Sequence, residues 1–369
     1  MPEVLFVAGE SSGDLHAAGV AEELVRLRPD LELTGFGGPL MRKAGVTLFD
    51  EYDTGVMGFL EVIRHIPRHF ALLETIRDRF ASGNVKLLIV IDYPGFNMKA
   101  ASAAKDAGIP VLYYVTPQVW AWGEGRLPKL ARIVTKAAVI LPFEETLLRG
   151  HGIDATFVGH PLLDRAQAIP SKREARVELG LRDDAPVLAL FPGSRQQEID
   201  RHLDDFVDSA REVQRAIPGV QVIVGVAPTI SLDERRCPFR MVKSASFTTL
   251  RAADAALCKS GTTTLEAAIA DCPLAVAYRT GEINYFLARL MVKIPHIGLV
   301  NVVAGREIAR EFVQDDLVPA QVAMHLERLL DPTDSERARV LDGLAEVRGK
   351  LGQPGAAAKV AAMASALVT

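Results

Sequence analysis

Short, unbroken apolar runs constrain this 369-residue chain more than any other feature of its sequence. They fall at residues 4–8, 31–36, 87–91, 111–115, 137–141 and 156–158 in the first half, and at 187–191, 221–226, 255–258 and 274–277 in the second. Within most of them apolar residues stand at successive positions rather than at every second one, the pattern of a strand buried on both faces. Each run ends at a loop, and a helical or turn stretch follows. That alternation predicts parallel sheets sandwiched by helices, an α/β fold with two doubly wound domains facing each other across a cleft. A charged helix bounded by Pro170 and Pro186 reads as the connection, which places the boundary near residue 165. The expected division is 1–165, 166–345 and a helical tail at 346–369, Ala-rich and able to pack back across one domain.

The runs also account for part of an apolar content of 49%. No uncharged apolar stretch approaches the roughly 18 residues of a membrane span, and the run at 4–8 is too short and lacks the basic flank of a signal peptide. Cys237, Cys258 and Cys272 are odd in number and never fall in CxxC spacing, which argues against a disulfide framework or a structural zinc site and for a reducing compartment. With Lys+Arg at 42 and Asp+Glu at 46, the net charge of −4 supplies no global basic field, so no nucleic-acid partner is expected. There is no Asp-x-Asp triplet. His65 and His69 have i,i+4 spacing, but Pro67 is expected to break the helix between them and no acidic third ligand is evident. Neither a metal site nor a cofactor is therefore expected.

Doubly wound sheets bind ligands at the carboxyl ends of their strands, so the loops after the runs are where chemistry is sought. After the first run, Glu10, Ser12, Gly13 and His16 sit in a small-residue turn that suits a ligand loop, or else a plain strand-to-helix turn capped by Ser12 or Asp14. Asp92 ends the run at 87–91, where partial dehydration would raise its pKa and suit a general base. The alternative is a carboxylate that accepts N–H bonds from its own turn. Trp120 and Trp122 lie two residues apart after the fourth run, where an apolar body would meet a wet edge or else pack inside. Gly193, Ser194 and Arg195 combine a permissive backbone, a capping hydroxyl and a fixed cation at a helix start, a pyrophosphate-type site, against a capped helix with Arg195 paired to an acid. Ser260, Gly261 and Thr262 open another helix, with Glu266 one turn in and placed for a ribose; a capping box is the competing reading. Asn301, Arg306 and Glu307 are a candidate wall of the same cleft.

These loops lie within AGESSGDLHAA (8–18), GFGGPLM (35–41), VMGFLEV (56–62), IDYPGFN (91–97), VTPQVWAW (115–122), ILPFE (140–144), FVGHPLLD (157–164), FPGSR (191–195), SGTTTLEA (260–267) and AGREIAREFVQ (304–314). In kind and in order they resemble the lipid-A-disaccharide synthases, inverting glycosyltransferases of the GT-B fold, in which two Rossmann-like domains face each other across a cleft. The resemblance implies transfer of a diacylglucosaminyl group from UDP-2,3-diacylglucosamine to the 6-hydroxyl of 2,3-diacylglucosamine 1-phosphate, giving the β-1,6 disaccharide 1-phosphate and UDP. It implies an acceptor and lipid role for the first domain and a UDP-sugar role for the second. Asp92 and Arg195 become the catalytic pair, and Gly193, Ser194, Arg195 again, Ser260, Gly261, Thr262, Glu266, Asn301, Arg306 and Glu307 the UDP-sugar set. Glu10, Ser12, Gly13, His16, Met57, Phe59, Trp120 and Trp122 become the acceptor and lipid set. The chain departs from the family pattern at Gly95 and Val300.

Residues 56–73 mix Phe59, Ile63, Ile66 and Phe70 with Arg64 and Arg68, a composition that fits either an interfacial segment on anionic lipid or core packing with a basic edge. The expected location is cytoplasmic, peripheral at the inner face of the inner membrane, with an oligomer allowed. Rival readings are a UDP-N-acetylglucosamine 2-epimerase, another GT-B glycosyltransferase, and a nucleotide-sugar- or lipid-binding protein without activity.

Overall fold

A computed structural model describes residues 1–51, 59–228, 230, 232–233, 235–281 and 294–368, with side chains throughout except at 59–66, 122 and 124. The chain divides into two compact units, one of residues 1–164 with 352–369 and one of residues 165–351.

The first unit holds seven strands: β1 (Glu3–Ala8), β2 (Glu32–Gly37), β3 (Thr47–Glu51), β4 (Val85–Ile91), β5 (Val111–Tyr114), β6 (Lys136–Val139) and β7 (Ala155–Phe157). Their order is β3-β2-β1-β4-β5-β6-β7, and every pairing is parallel. The apolar runs follow from this topology. Leu5 and Val7 of β1 join one buried cluster, whereas Val4, Phe6 and Ala8 join another, so alternate residues of one strand serve the two covered faces. The second cluster is completed by the helix Ala356–Leu367, which packs on the helix Ser11–Leu27 through Ala356, Val360, Ala361 and Ala364.

The second unit repeats the scheme with β8 (Val187–Phe191), β9 (Gln221–Val226), β10 (Arg240–Lys243), β11 (Ala255–Lys259), β12 (Leu274–Tyr278) and β13 (Glu311–Val313), in the order β10-β9-β8-β11-β12-β13. All its pairings are parallel as well.

Two local expectations change. The helix Phe59–Ala81 runs through Pro67 rather than ending there. The strand expected over 111–115 stops at Tyr114, because Val115 turns into the left-handed region at φ 56°.

Candidate active site

Each sheet reverses its strand order at one place. In the first unit β1 is flanked by β2 and β4, and in the second β8 is flanked by β9 and β11. At such a switch the loops leaving two neighbouring strands diverge to opposite faces and leave a crevice at their carboxyl ends. The 9–13 loop and Asp92 follow β1 and β4, while Gly193-Ser194-Arg195 and Ser260-Gly261-Thr262 follow β8 and β11. Four of the loops read from the sequence thus sit at the two switch points.

In the first unit the crevice is built around a strained turn. Asp92 and Tyr93 both adopt left-handed backbone, at φ 49° and 46°, and neither is glycine. Such conformations cost of order 1–3 kcal/mol each and persist only where neighbours enforce them. Here the Asp92 carbonyl accepts from the Tyr113 hydroxyl at 2.9 Å and from Asn97 Nδ2 at 2.8 Å. The Tyr93 hydroxyl lies 2.5 Å from His69 Nε2. Its ring fills the place of a side chain at Gly9, where a Cβ would come within 2.2 Å of it. Burial and the nearby Glu10 carboxylate raise the Tyr93 pKa, with Arg68 opposing. Burial, with the Asp92 charge adding to it, raises that of Tyr113 further.

The remaining first-unit candidates are placed as follows. Ser12 is exposed, Glu10 half-buried and Gly13 buried; the helix they open has no side-chain cap. Asp14 does not cap that helix either. Its buried carboxylate accepts from the N–H groups of Gly38, Leu40 and Met41, and so ties the first loop to the 35–41 motif. His16 meets the Tyr114 ring edge-on at 5.9 Å. Trp120 Nε1 donates to Glu144 Oε1 at 3.0 Å, and the indole packs on Phe143. Burial lifts the Glu144 carboxyl to about 7 despite the donors from Leu141 and Trp120. Met57 and the side chains of Phe59 and Trp122 lie outside the described residues.

In the second unit, Gly193 sits at φ 150°, where a Cβ would stand 2.6 Å from Glu198 Cβ. The helix Gln196–Ala216 begins after Arg195 without a side-chain cap. Glu198 instead folds back, and its Oε2 accepts from the Ser194 N–H at 2.9 Å. Arg195 is 55% exposed and stands 3.5 Å from Glu198 Oε1. Half-burial works against the Glu198 charge, but Lys259, Ser194 and Arg195 hold its pKa below the usual value. In the neighbouring loop, Ser260 Oγ donates to the Ile297 carbonyl at 2.7 Å, Gly261 lies at φ 159°, and Thr262 is exposed. Glu266 forms no capping box. It is buried, its pKa is raised by that burial, and Arg165 at 3.5 Å and the Ser246 hydroxyl oppose the rise.

Three residues of the expected UDP-sugar set stand apart from these loops. Asn301 is fully buried, and its amide is saturated. Nδ2 donates to the Ala309 carbonyl and to Glu311, and Oδ1 accepts from the N–H groups of Ile308 and Ala309. No polar atom of that amide remains to meet a ligand. Arg306 and Glu307 follow the helix Leu299–Ala304 and precede β13, so they lie at the amino end of a parallel sheet whose binding loops leave from the opposite end. There Arg306 pairs with Glu346 at 2.7 Å.

Other residues have roles that the motifs did not single out. Glu311 accepts from the N–H groups of Ile297 and Gly298 and so starts the helix Leu299–Ala304. Tyr113 lies inside an apolar run and gives no local sign of its hydrogen bond to Asp92. Lys259, the last residue of β11, reaches Glu198 at 2.9 Å. A lysine that ends an otherwise apolar strand before a Ser-Gly-Thr turn is the one signal that could have pointed to it. Among the described residues no three His, Cys, Asp or Glu side chains gather as a metal site.

Comparison with known proteins separates the rival readings. Solved structures share the fold at low identity. A calicheamicin glycosyltransferase, CalG4, aligns with a TM-score of 0.64 at 17% identity, covering 100% of this chain and 98% of its own. A UDP-GlcNAc 2-epimerase from Neisseria meningitidis aligns at 0.62 and 13%, covering 98% of each chain. Transferase and epimerase therefore share this architecture, and the fold does not choose between them. Sequence does. A chain from Myxococcus xanthus (strain DK1622) named lipid-A-disaccharide synthase is 40% identical over 368 residues, 98% of this chain and 96% of its own. One of the same name from Anaeromyxobacter dehalogenans (strain 2CP-1 / ATCC BAA-258) is 41% identical, over 97% and 96%. The family model described as lipid-A-disaccharide synthetase matches residues 4–362. The chain belongs to the lipid-A-disaccharide synthase family, hexosyltransferases of lipid A disaccharide synthesis, here with two parallel-sheet α/β domains of the GT-B class.

Proposed function

We propose that the chain transfers the diacylglucosaminyl group of UDP-2,3-diacylglucosamine to the 6-hydroxyl of 2,3-diacylglucosamine 1-phosphate by a single inverting displacement. The unit of residues 165–351 binds the UDP-sugar, and the other unit binds the lipid acceptor. The observation that carries this is the different chemistry of the two switch points: a strained carboxylate in one, an arginine with glycine-rich backbone N–H groups in the other.

Asp92 accepts the proton of the acceptor hydroxyl as its oxygen attacks the anomeric carbon. The bond from that carbon to the diphosphate oxygen breaks, and its electron pair leaves with UDP. Arg195 and the N–H groups of the 193–195 and 260–262 loops stabilise the charge that grows on the leaving diphosphate. Glu266 faces the ribose once Arg165 shares it with the nucleotide. The left-handed turn aims Asp92, which matters because proton abstraction needs heavy atoms within about 2.6–3.2 Å.

The test is mass spectrometry of the products formed from the two diacyl substrates, with Asp92→Asn and Arg195→Ala alongside the wild type. A β-1,6 disaccharide 1-phosphate that disappears in both variants supports the assignment. Near wild-type rates in both overturn it.

Acyl chains bring the enzyme to an anionic membrane surface, peripherally and, in this reading, on the cytoplasmic side. Among the described residues no helix is long and apolar enough to cross a membrane. Phe70 on the helix Phe59–Ala81 is 57% exposed, with the Lys99 ammonium 5.5 Å from its ring. An apolar side chain beside a cation suits such a surface. Co-sedimentation with anionic vesicles at low salt, reduced in Phe70→Ser, tests this; no binding at low salt rejects it.

A further inference from the structure

At the carboxyl ends of β8 and β11 a single carboxylate gathers three donors. Glu198 Oε2 accepts from the Ser194 N–H at 2.9 Å, Lys259 Nζ donates to Oε1 at 2.9 Å, and Arg195 Nη1 stands 3.5 Å from that same oxygen. Lys259 and Glu198 are each only 16% exposed, so water screens their attraction little. The Lys259 ammonium faces the Tyr278 ring at 5.7 Å and lies 3.9 Å from where a Cβ would stand on Gly261. It therefore joins the 193–195 loop to the 260–262 loop. A backbone N–H, a guanidinium and an ammonium converging on one point are the donors that hold phosphate oxygens.

We propose that Lys259 is a diphosphate-binding residue of this chain and that Glu198 acts as its stand-in anion, holding the donors in place and yielding them to the diphosphate of the sugar nucleotide. This rests on the reading of the 193–195 loop as the diphosphate site, and goes beyond it by adding a cation from the next strand and a carboxylate that competes for it. Coulomb attraction scales with the product of the charges. A carboxylate carries one negative charge, and a nucleoside diphosphate carries more than one. The exchange therefore favours a diphosphate over any singly charged ligand, which makes the Lys259–Glu198 pair a filter on ligand charge. It also means that UDP affinity is what remains after that pair has opened.

The experiment is calorimetric titration of the full chain with UDP and with uridine, at low and high salt, for the wild type, Lys259→Met, Lys259→Arg and Glu198→Gln. Met keeps the length of the lysine stem, and Gln keeps an oxygen for the Ser194 N–H. UDP affinity is expected to fall about tenfold to hundredfold in Lys259→Met, the range of a lost charge-assisted bond, with a shallower salt dependence. It should recover in Lys259→Arg and rise roughly threefold or more in Glu198→Gln, where the competing negative charge is gone. Uridine, which has no phosphate, should bind all four proteins alike. UDP binding by Lys259→Met within twofold of the wild type overturns the role of Lys259. Weaker UDP binding by Glu198→Gln overturns the stand-in role and leaves Glu198 a brace of the loop. A wild type that binds no UDP brings down the diphosphate site itself, and the proposal with it.

Discussion

Replacing Tyr113 by Phe removes a single oxygen from the buried end of β5, yet the expected effect on turnover is large. That hydroxyl donates to the Asp92 carbonyl at 2.9 Å, and the carbonyl keeps Asn97 Nδ2 at 2.8 Å as a second donor. No polar group is stranded, so the lost bond is worth about 1 kcal/mol. In a unit of this size that lowers Tm by about 2–4 °C. The bond is also one of the restraints that hold Asp92 and Tyr93 at φ 49° and 46°, against strain of order 1–3 kcal/mol per residue. With about 1 kcal/mol of restraint gone, the turn has room to relax and re-aim the Asp92 carboxylate. A displacement of about 1 Å costs about a hundredfold in rate. The expected result is a kcat roughly 10–100-fold lower, with UDP affinity unchanged because the loops proposed to bind UDP belong to the other unit. Steady-state transfer rates, UDP titration and a melting curve on the same preparation check all three. A Tyr113→Phe enzyme that keeps more than half of the wild-type kcat would refute the reasoning, provided Asp92→Asn is inactive.

Gly9→Ala places a methyl within 2.2 Å of the Tyr93 ring. The ring must leave its place near His69, so turnover should fall at least as far as in Tyr113→Phe, and a variant with normal rates would show that the ring can move without harm. Burial holds His160 at about 3 and His325 at about 4, below the ordinary value of 6.5. The unfolded chain therefore binds more protons below pH 6.5, and stability should be full above that pH and lost as it falls through 4 toward 3. A Tm that stays flat from pH 7 to pH 4 would contradict this. Glu144, raised to about 7 by burial, accepts from the Trp120 indole. Tryptophan emission should show a titration step near pH 7 that vanishes in Trp120→Phe and in Glu144→Gln; a step that survives both would assign it elsewhere.

The strands legible in the sequence are those with both faces covered. β1, β4, β8 and β11 read as apolar runs because neighbouring residues face opposite buried layers, and these same strands deliver the loops at the switch points. β3, β10 and β13 escaped because each lies at a sheet edge and carries polar residues, as in Thr47-Leu-Phe-Asp-Glu51 and Arg240-Met-Val-Lys243. The site shows the same divide. Glycines, an arginine and a carboxylate at strand ends advertise a ligand loop by type and position. Arg306 and Glu307 looked equally suitable, but a local motif does not tell which end of the sheet the chain has reached, and the helix Leu299–Ala304 had already returned it to the amino end. Glu198, Lys259 and Tyr113 act across distances of 61 residues between Lys259 and Glu198 and 21 between Tyr113 and Asp92, which no local pattern spans.

The helix Ala356–Leu367 closes one face of the first unit although all of residues 165–351 separate it from the rest of that unit. On a ribosome adding about 5–20 residues per second, the side of the helix Ser11–Leu27 that carries Gly19, which meets Ala357, waits roughly 10–40 s after residue 164 is added for its cover. For that interval the unit that emerges first carries an open apolar stripe, while the unit that emerges second can complete its own core. Synthesis therefore finishes the two in the reverse of the order in which it begins them, and a ribosome that stalls after residue 351 leaves the older unit, not the newer one, in need of a chaperone.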